Sequence, residues 1–250
     1  MSSAAAFVVG ASGGLGRASA LALARDWPGL ALGYRTSRDK AEALASELPG
    51  ECAGLPVHCD LGDAATVVAA LNLACERFNR IGTVVYASGV AIGQPHVSRT
   101  SETEWREVIE AEIIGLTRVV SAALPIFRNQ GGGNFVILTS VANYAYPPGD
   151  ALSAVPKAAM ESLGRAIAKE EGRFNIRANM VAPGIIDAGL GASFLKDLYT
   201  PEIWDTQRKR IALQRFGDGA DIGETVAFLA SERARYITGQ TIIVDGGFSL

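Results

Sequence analysis

The chain has 250 residues, and 23 Lys and Arg against 26 Asp and Glu leave a net charge of −3. That weakly acidic balance argues against a nucleic-acid partner, which calls for a basic face. A composition of 48% hydrophobic and 20% charged residues suits a globular protein with a sizeable core and excludes a disordered one. No run reaches the ~18 apolar residues of a membrane span. The opening residues 1–16 lack a basic segment and run straight into glycines, which is not the pattern of a signal peptide. Cys52, Cys59 and Cys75 are odd in number and follow no framework spacing, so free thiols in a reducing cytoplasm are expected. Cys52, His58 and Cys59 match no zinc pattern, and no metal site is expected.

Apolar runs alternate with amphipathic stretches along the whole chain. Strands are expected at Ala5–Val9, Leu30–Tyr34, Leu55–Cys59, Thr83–Ala87, Asn134–Thr139, Ile176–Val181 and Thr241–Val244. Helical patterns fall between them, at Arg17–Arg25, Asp39–Leu48, Asp63–Phe78, Glu102–Phe127 and Ala154–Glu171. Several strands are continuously apolar, as buried parallel strands are. The alternation predicts a Rossmann-like α/β fold, a doubly wound parallel sheet of about seven strands in a three-layer sandwich. Without a linker, repeat or charge block, residues 1–250 read as one dinucleotide-binding domain. Residues 187–216 interrupt the alternation, are mostly helical in pattern, and are long for a connection; they read as a substrate lid.

The first strand ends in Val9-Gly10-Ala11-Ser12-Gly13-Gly14-Leu15-Gly16, and a helix follows. Glycines there let the backbone turn sharply and approach a pyrophosphate seated on a helix N-terminus. The spacing is GxxxGxG rather than GxGxxG. The second strand ends Gly33-Tyr34-Arg35-Thr36-Ser37-Arg38, with no carboxylate before Asp39. A guanidinium fork suits a ribose 2′-phosphate, whereas an acidic residue would suit a 2′-hydroxyl, so NADP(H) is the expected cofactor.

These motifs resemble the short-chain dehydrogenase/reductase family, in the single-domain branch that includes the 3-oxoacyl-carrier-protein reductases. The resemblance extends to Cys59-Asp60-Leu61, Pro183-Gly184, and the long ending from Phe228-Leu229-Ala230-Ser231 through Tyr236-Ile237-Thr238-Gly239-Gln240 to Val244-Asp245-Gly246-Gly247. It spans essentially the whole chain. It implies that Gly10, Ser12, Gly14, Leu15, Gly16, Arg35, Thr36, Asp60, Leu61, Gly89, Lys157, Pro183, Gly184 and Ile186 contact the cofactor. It also implies a small-molecule substrate, one that a thioester can carry, and a homodimer or homotetramer in the cytoplasm.

The departures from the family pattern bear on mechanism. Tyr86-Ala87-Ser88-Gly89 stands where the family has Asn-Asn-Ala-Gly, and Glu112 replaces the family's catalytic Asn. Ser140 matches the catalytic serine. Thirteen residues on, where the resemblance places the tyrosine of Tyr-x-x-x-Lys, stands Ser153, with Lys157 four further. In the family the tyrosine gives the proton, and the lysine acidifies it and holds the ribose. Serine is a far weaker acid on a shorter side chain. Ser153 reads either as the N-cap of the helix carrying Lys157, with Pro156 at the third helical position, or as a direct participant. Tyr144, Tyr146 and Glu112 are the other candidate proton donors, each with a plainer reading: aromatic wall for the tyrosines, an ion pair with Lys157 for the glutamate. Three functions stay open: an NADPH-dependent reductase of an activated C=C bond in an enone or an enoyl or dienoyl thioester; a carbonyl reductase with a relocated donor; and a silent NADP-binding subunit. His96 and His58 lack a triad context, and Trp27, Trp105 and Trp204 read as packing residues.

Overall fold

A computed structural model describes residues 4–197 and 200–250. In chain order the elements are β1 (Ala5–Val9), α1 (Gly14–Leu23), β2 (Gly29–Tyr34), α2 (Arg38–Glu47), β3 (Ala53–His58), α3 (Ala64–Phe78) and β4 (Ile81–Tyr86). Then come α4 (Glu102–Ile109), α5 (Gly115–Asn129), β5 (Gly133–Leu138), the short α6 (Ala142–Ala145), α7 (Ala151–Glu171) and β6 (Ile176–Pro183). The chain ends with β7 (Ile186–Asp187), α8 (Leu190–Asp197), α9 (Pro201–Arg210), β8 (Gly217–Asp218), α10 (Gly219–Ala230) and β9 (Thr241–Val244). Seven strands form one sheet in the order β3-β2-β1-β4-β5-β6-β9, and every neighbouring pair is parallel. This is the doubly wound architecture expected from the sequence.

Strand periodicity builds the three layers. Ala5, Phe7 and Val9 of β1 point into a core shared with α3, α5 and α7, while Ala6 and Val8 point into a second core shared with α1, α2 and α10. The chain order reverses between β1 and β4, so the crevice of such a sheet opens above their carboxyl ends. Gly10, Arg35, Asp60, Gly89, Ser140 and Gly184 all lie just past the ends of their strands.

Three expectations need correcting. The helical stretch expected over 102–127 is present and runs on to Asn129, but it is not a regular α-helix: between α4 and α5 the backbone widens into one π turn, Glu110–Ile114. Gly115 follows it, and a Cβ there would press on Leu61 and on the Tyr86 hydroxyl, each at 3.1 Å. The π turn therefore lets the helix seat against β4 and brings Glu112 inward, where it is buried. Second, α7 starts three residues earlier than expected. Its N-cap is Asp150, so Ser153 is the third helical residue and Pro156 the sixth. Pro147, Pro148 and Gly149 end the preceding loop, and Gly149 takes φ +85°; that turn sets the helix start, which the Ser153 signal alone misplaced. Third, α1 begins at Gly14, inside the glycine motif, rather than at Arg17. Residues 187–216 hold α8 and α9, bracketed by β7 and β8, which pair in parallel; residues 198 and 199 of this segment lie outside the described ones. Helix α10, not foreseen, carries a capping box between Asp218 and Asp221.

Among the described residues no helix is long and apolar enough to cross a membrane. Phe127 is fully buried and meets Phe135 edge to face at 5.0 Å, over Gly133, where a Cβ would lie 2.2 Å from the Phe127 ring. Phe127→Ala should cost about 3–5 kcal/mol in urea unfolding, because the packed surroundings cannot close on the void; a loss below about 1 kcal/mol would contradict this packing.

Candidate active site

The glycine motif forms a cradle whose floor is backbone. Gly10 has φ +78°, which other residues avoid, and a Cβ on Gly16 would lie 2.1 Å from the Gly10 carbonyl oxygen. Helix α1 opens on Gly13 with no side chain capping it and no acidic residue in its first turn. Unsatisfied N–H groups at a helix N-terminus, with a backbone that nothing shields, fit a phosphate. The sequence-derived pyrophosphate residues Gly10, Ser12, Gly14, Leu15 and Gly16 are thus brought together. Gly14 also supports the segment after β7, since a Cβ on it would lie 2.3 Å from the Gly189 nitrogen.

The basic pair after β2 divides. Arg38 is bound to Glu42 one turn along α2 at 2.7 Å, while Arg35 is exposed and has no ion pair among the described residues. Arg35 and the exposed Thr36 are therefore the groups open to a phosphate at that edge. Asp60 spends one carboxylate oxygen on the Gly62 N–H at 2.9 Å, which fixes the turn after β3. Gly184 sits so close to Asp245 at the end of β9 that a Cβ would be 2.6 Å from its Cα. Ile186 is buried in the core, so only its backbone can face a ligand.

Lys157 and Glu112 form the centre of the site. Lys157 Nζ donates to Glu112 Oε2 at 2.6 Å, with the two side chains only 12% and 5% exposed. The Val90 N–H donates to the other oxygen, Oε1, at 3.2 Å. The Tyr86 hydroxyl donates to the backbone carbonyl of Glu112 at 3.3 Å and braces the π turn. Burial, reinforced by the Glu112 charge, pushes the Tyr86 phenol well above its ordinary range, so it holds its proton. Ser140 Oγ accepts the Ala142 N–H at 3.1 Å, leaving its own hydrogen to donate elsewhere.

Tyr144 is not brought to this centre. Its hydroxyl donates to Glu161 Oε2 at 2.8 Å, in a cluster where Arg165 also donates to Oε2 at 3.0 Å, and Thr139 and Asn143 donate to Oε1 at 3.1 and 2.8 Å. Burial raises its pKa, with Glu161 adding to the rise and a hydrogen bond with Thr241 opposing it. Tyr144 thereby ties α6 to α7. The buried Glu161 was not foreseen; Arg165 stands four residues on in α7, a spacing the sequence does show, but Thr139, Asn143 and Tyr144 reach it from the end of β5 and from α6, and nothing in the local pattern marks them. Tyr146 is 72% exposed, in a left-handed conformation at φ 45°. It lines a cleft of about 430 Å³ together with His96, Pro148, Asp150 and Ala154.

Residues 10–249 match the family model described as enoyl-(acyl carrier protein) reductase. The 3-oxoacyl-[acyl-carrier-protein] reductase of Staphylococcus aureus is 35% identical over 243 residues, covering 97% of this chain and 96% of that protein. Levodione reductase superposes with a TM-score of 0.94 at 28% identity, over 100% of this chain and 98% of that one. A 7α-hydroxysteroid dehydrogenase complexed with NADH and 7-oxo glycochenodeoxycholic acid gives a TM-score of 0.88 at 26% identity, over 98% and 93%. The chain belongs to the short-chain dehydrogenase/reductase family of oxidoreductases, whose chemistry uses a nicotinamide cofactor.

Breaking the buried pair should be costly, because the remaining charge loses its partner. Glu112→Gln and Lys157→Met should each destabilise by about 3–5 kcal/mol, and the double variant by much less than the sum. Additive losses in a denaturation cycle would show that the two groups do not interact.

Proposed function

We propose that this chain is an NADP(H)-dependent reductase acting on an activated C=C bond, in an enone or an enoyl or dienoyl thioester. The observation that carries the reading is the buried 2.6 Å contact between Lys157 and Glu112, one helical turn from a serine at position 153. A lysine neutralised in this way exerts little of the field that would acidify a neighbouring phenol, and no phenol stands there. Reduction of a simple carbonyl builds an alkoxide, a strong base that needs an acid at the oxygen. Conjugate addition places the charge on an enolate, a weaker base that a hydrogen-bond donor can stabilise. The Ser140 hydroxyl has a hydrogen free for that purpose.

A reduced nicotinamide, when bound, supplies the hydride. Gly10, Ser12, Gly14, Leu15 and Gly16 hold the pyrophosphate; Arg35 and Thr36 hold the 2′-phosphate; Asp60, Leu61 and Gly89 border the adenosine; Pro183, Gly184 and Ile186 border the nicotinamide. Lys157 anchors the ribose, and its tie to Glu112 fixes the ammonium in place. Segment 187–216 closes over the substrate as a lid. A carbonyl reductase with a relocated donor is the second reading, favoured by the carboxyl of Asp150 on the neighbouring cleft.

NADPH oxidation with matched pairs of an enone and its saturated ketone tests the reading. Faster turnover of the enones is expected; equal or faster turnover of the ketones overturns it in favour of the second reading, and no turnover points to a silent subunit. By calorimetry NADPH should bind more tightly than NADH, and Arg35→Asp should weaken NADPH by about 1.5–3 kcal/mol, the scale of a charged hydrogen bond. Equal affinity of the unaltered chain for both would contradict the assignment of Arg35.

A further inference from the structure

Ser140 lies just past the end of β5, in a turn that is held from two sides. On the sheet side the hold is through the backbone. The Thr139 N–H donates to the Val181 carbonyl at 2.7 Å and the Val141 N–H to the Pro183 carbonyl at 2.9 Å, both on β6. On the helix side the hold is through one carboxylate of α7. Glu161 Oε1 accepts the Thr139 hydroxyl at 3.1 Å and the Asn143 side-chain amide at 2.8 Å. Oε2 accepts the Tyr144 hydroxyl at 2.8 Å and the Arg165 guanidinium at 3.0 Å. Thr139 precedes Ser140 directly, and Asn143 and Tyr144 follow it closely, so the carboxylate grips the turn on both sides of the serine. The side-chain oxygen of Asn143 is buried and has no hydrogen-bond partner among the described residues, so Glu161 is the anchor of that side chain. The turn in turn aims Ser140: the Ala142 N–H donates to Oγ at 3.1 Å, and the Asn143 N–H to the Ser140 carbonyl at 3.2 Å.

Glu161 suits this task by its chemistry. An ionised carboxylate offers roughly four lone-pair sites, and four donors meet them here. A buried charge with its partners adds little net stability over apolar packing. What it supplies is a fixed geometry, and three of its four bonds converge on the neighbours of one residue. Lys157 stands one helical turn earlier in α7, on the same face. A single helix thus carries both the ammonium and the group that holds the Ser140 turn. We propose that Glu161 is a positioning residue for the reduction, which fixes the Ser140 hydroxyl relative to Lys157 by holding Thr139 and Asn143. The inference rests on the reductase reading above, in which that hydroxyl donates to the substrate oxygen, and it names what aims the donor. Glu161 acts through Ser140 and moves no proton itself.

The test is a cycle of kcat values for Glu161→Gln, Ser140→Ala and the double variant. Glutamine leaves one oxygen and turns an NH₂ group toward side chains that already donate, so the turn loses its hold. Glu161→Gln should lower kcat ~10²-fold, the cost of a misplacement of about 1 Å, with NADPH affinity unchanged. In the Ser140→Ala background the same change should cost almost nothing more, because the hydroxyl that it aims is gone. Two losses that multiply in full would mark a general loss of structure and overturn the proposal, as would an undiminished kcat in Glu161→Gln. Thr139→Val and Thr139→Ser keep the proposal falsifiable if Glu161→Gln does not fold. The valine should lose rate and the serine, which keeps the hydroxyl, should recover most of it; equal rates in the two overturn the proposal. Independently of turnover, hydrogen exchange should show the amides of residues 141–144 losing protection in Glu161→Gln, and unchanged protection contradicts the hold. The cycle uses whichever of an enone and its saturated ketone the chain reduces. Faster ketones sink the C=C reading and leave Glu161 in its role; no turnover of either by the unaltered chain sinks the reductase reading and this role with it.

Discussion

The buried contact between Lys157 and Glu112 is the constraint on which the rest of the site depends. A charge in a protein interior is tolerated only with a partner and further hydrogen bonds. The fold meets both demands from three directions: α7 delivers the lysine, the π turn delivers the carboxylate, and the Val90 N–H takes the second carboxylate oxygen. Tyr86 then braces the π turn from β4. A helix without that turn would place residue 112 on a different face, and Lys157 would be buried alone. The local irregularity and the ion pair are thus one arrangement.

That arrangement changes what the family scaffold can do. An ammonium locked to a carboxylate remains a hydrogen-bond donor and a positional anchor, but it no longer lowers the pKa of its surroundings as a free one would. Acid chemistry at this site has to come from elsewhere. Tyr144 is tied to Glu161, and Tyr86 holds its proton because burial and the neighbouring Glu112 charge raise its pKa.

Most of the fold was legible in the chain, because continuous apolar runs and helical periods follow directly from a sheet buried on both faces. The glycine cradle was legible because it closes the first strand and opens a helix, whereas Ser140 and Lys157 were legible through the family resemblance that their positions match. The meeting of Glu112 and Lys157 was foreseen as a pair, but the π turn that makes it was not, since it shifts the phase of the helical period only once and leaves no mark on composition. Helix α10 was overlooked although Asp218 and Asp221 form a legible cap. The register of α7 was misread because Ser153 is a good N-cap residue and the competing signal, Pro147 to Asp150, belongs to the loop. The Glu161 to Arg165 pair follows a helical i,i+4 spacing, but the donors Thr139, Asn143 and Tyr144 lay beyond sequence reasoning, because β5, α6 and α7 meet only in the folded chain.

On the proposed reading, a site built on a neutralised lysine sends hydride to carbon conjugated with a carbonyl rather than to the carbonyl carbon. NADPH deuterated at both C4 positions, incubated with the chain and an enone, tests this most directly when the product is read by NMR. The account predicts deuterium at the β-carbon and an intact carbonyl. Deuterium on the carbinol carbon of an allylic alcohol would contradict it.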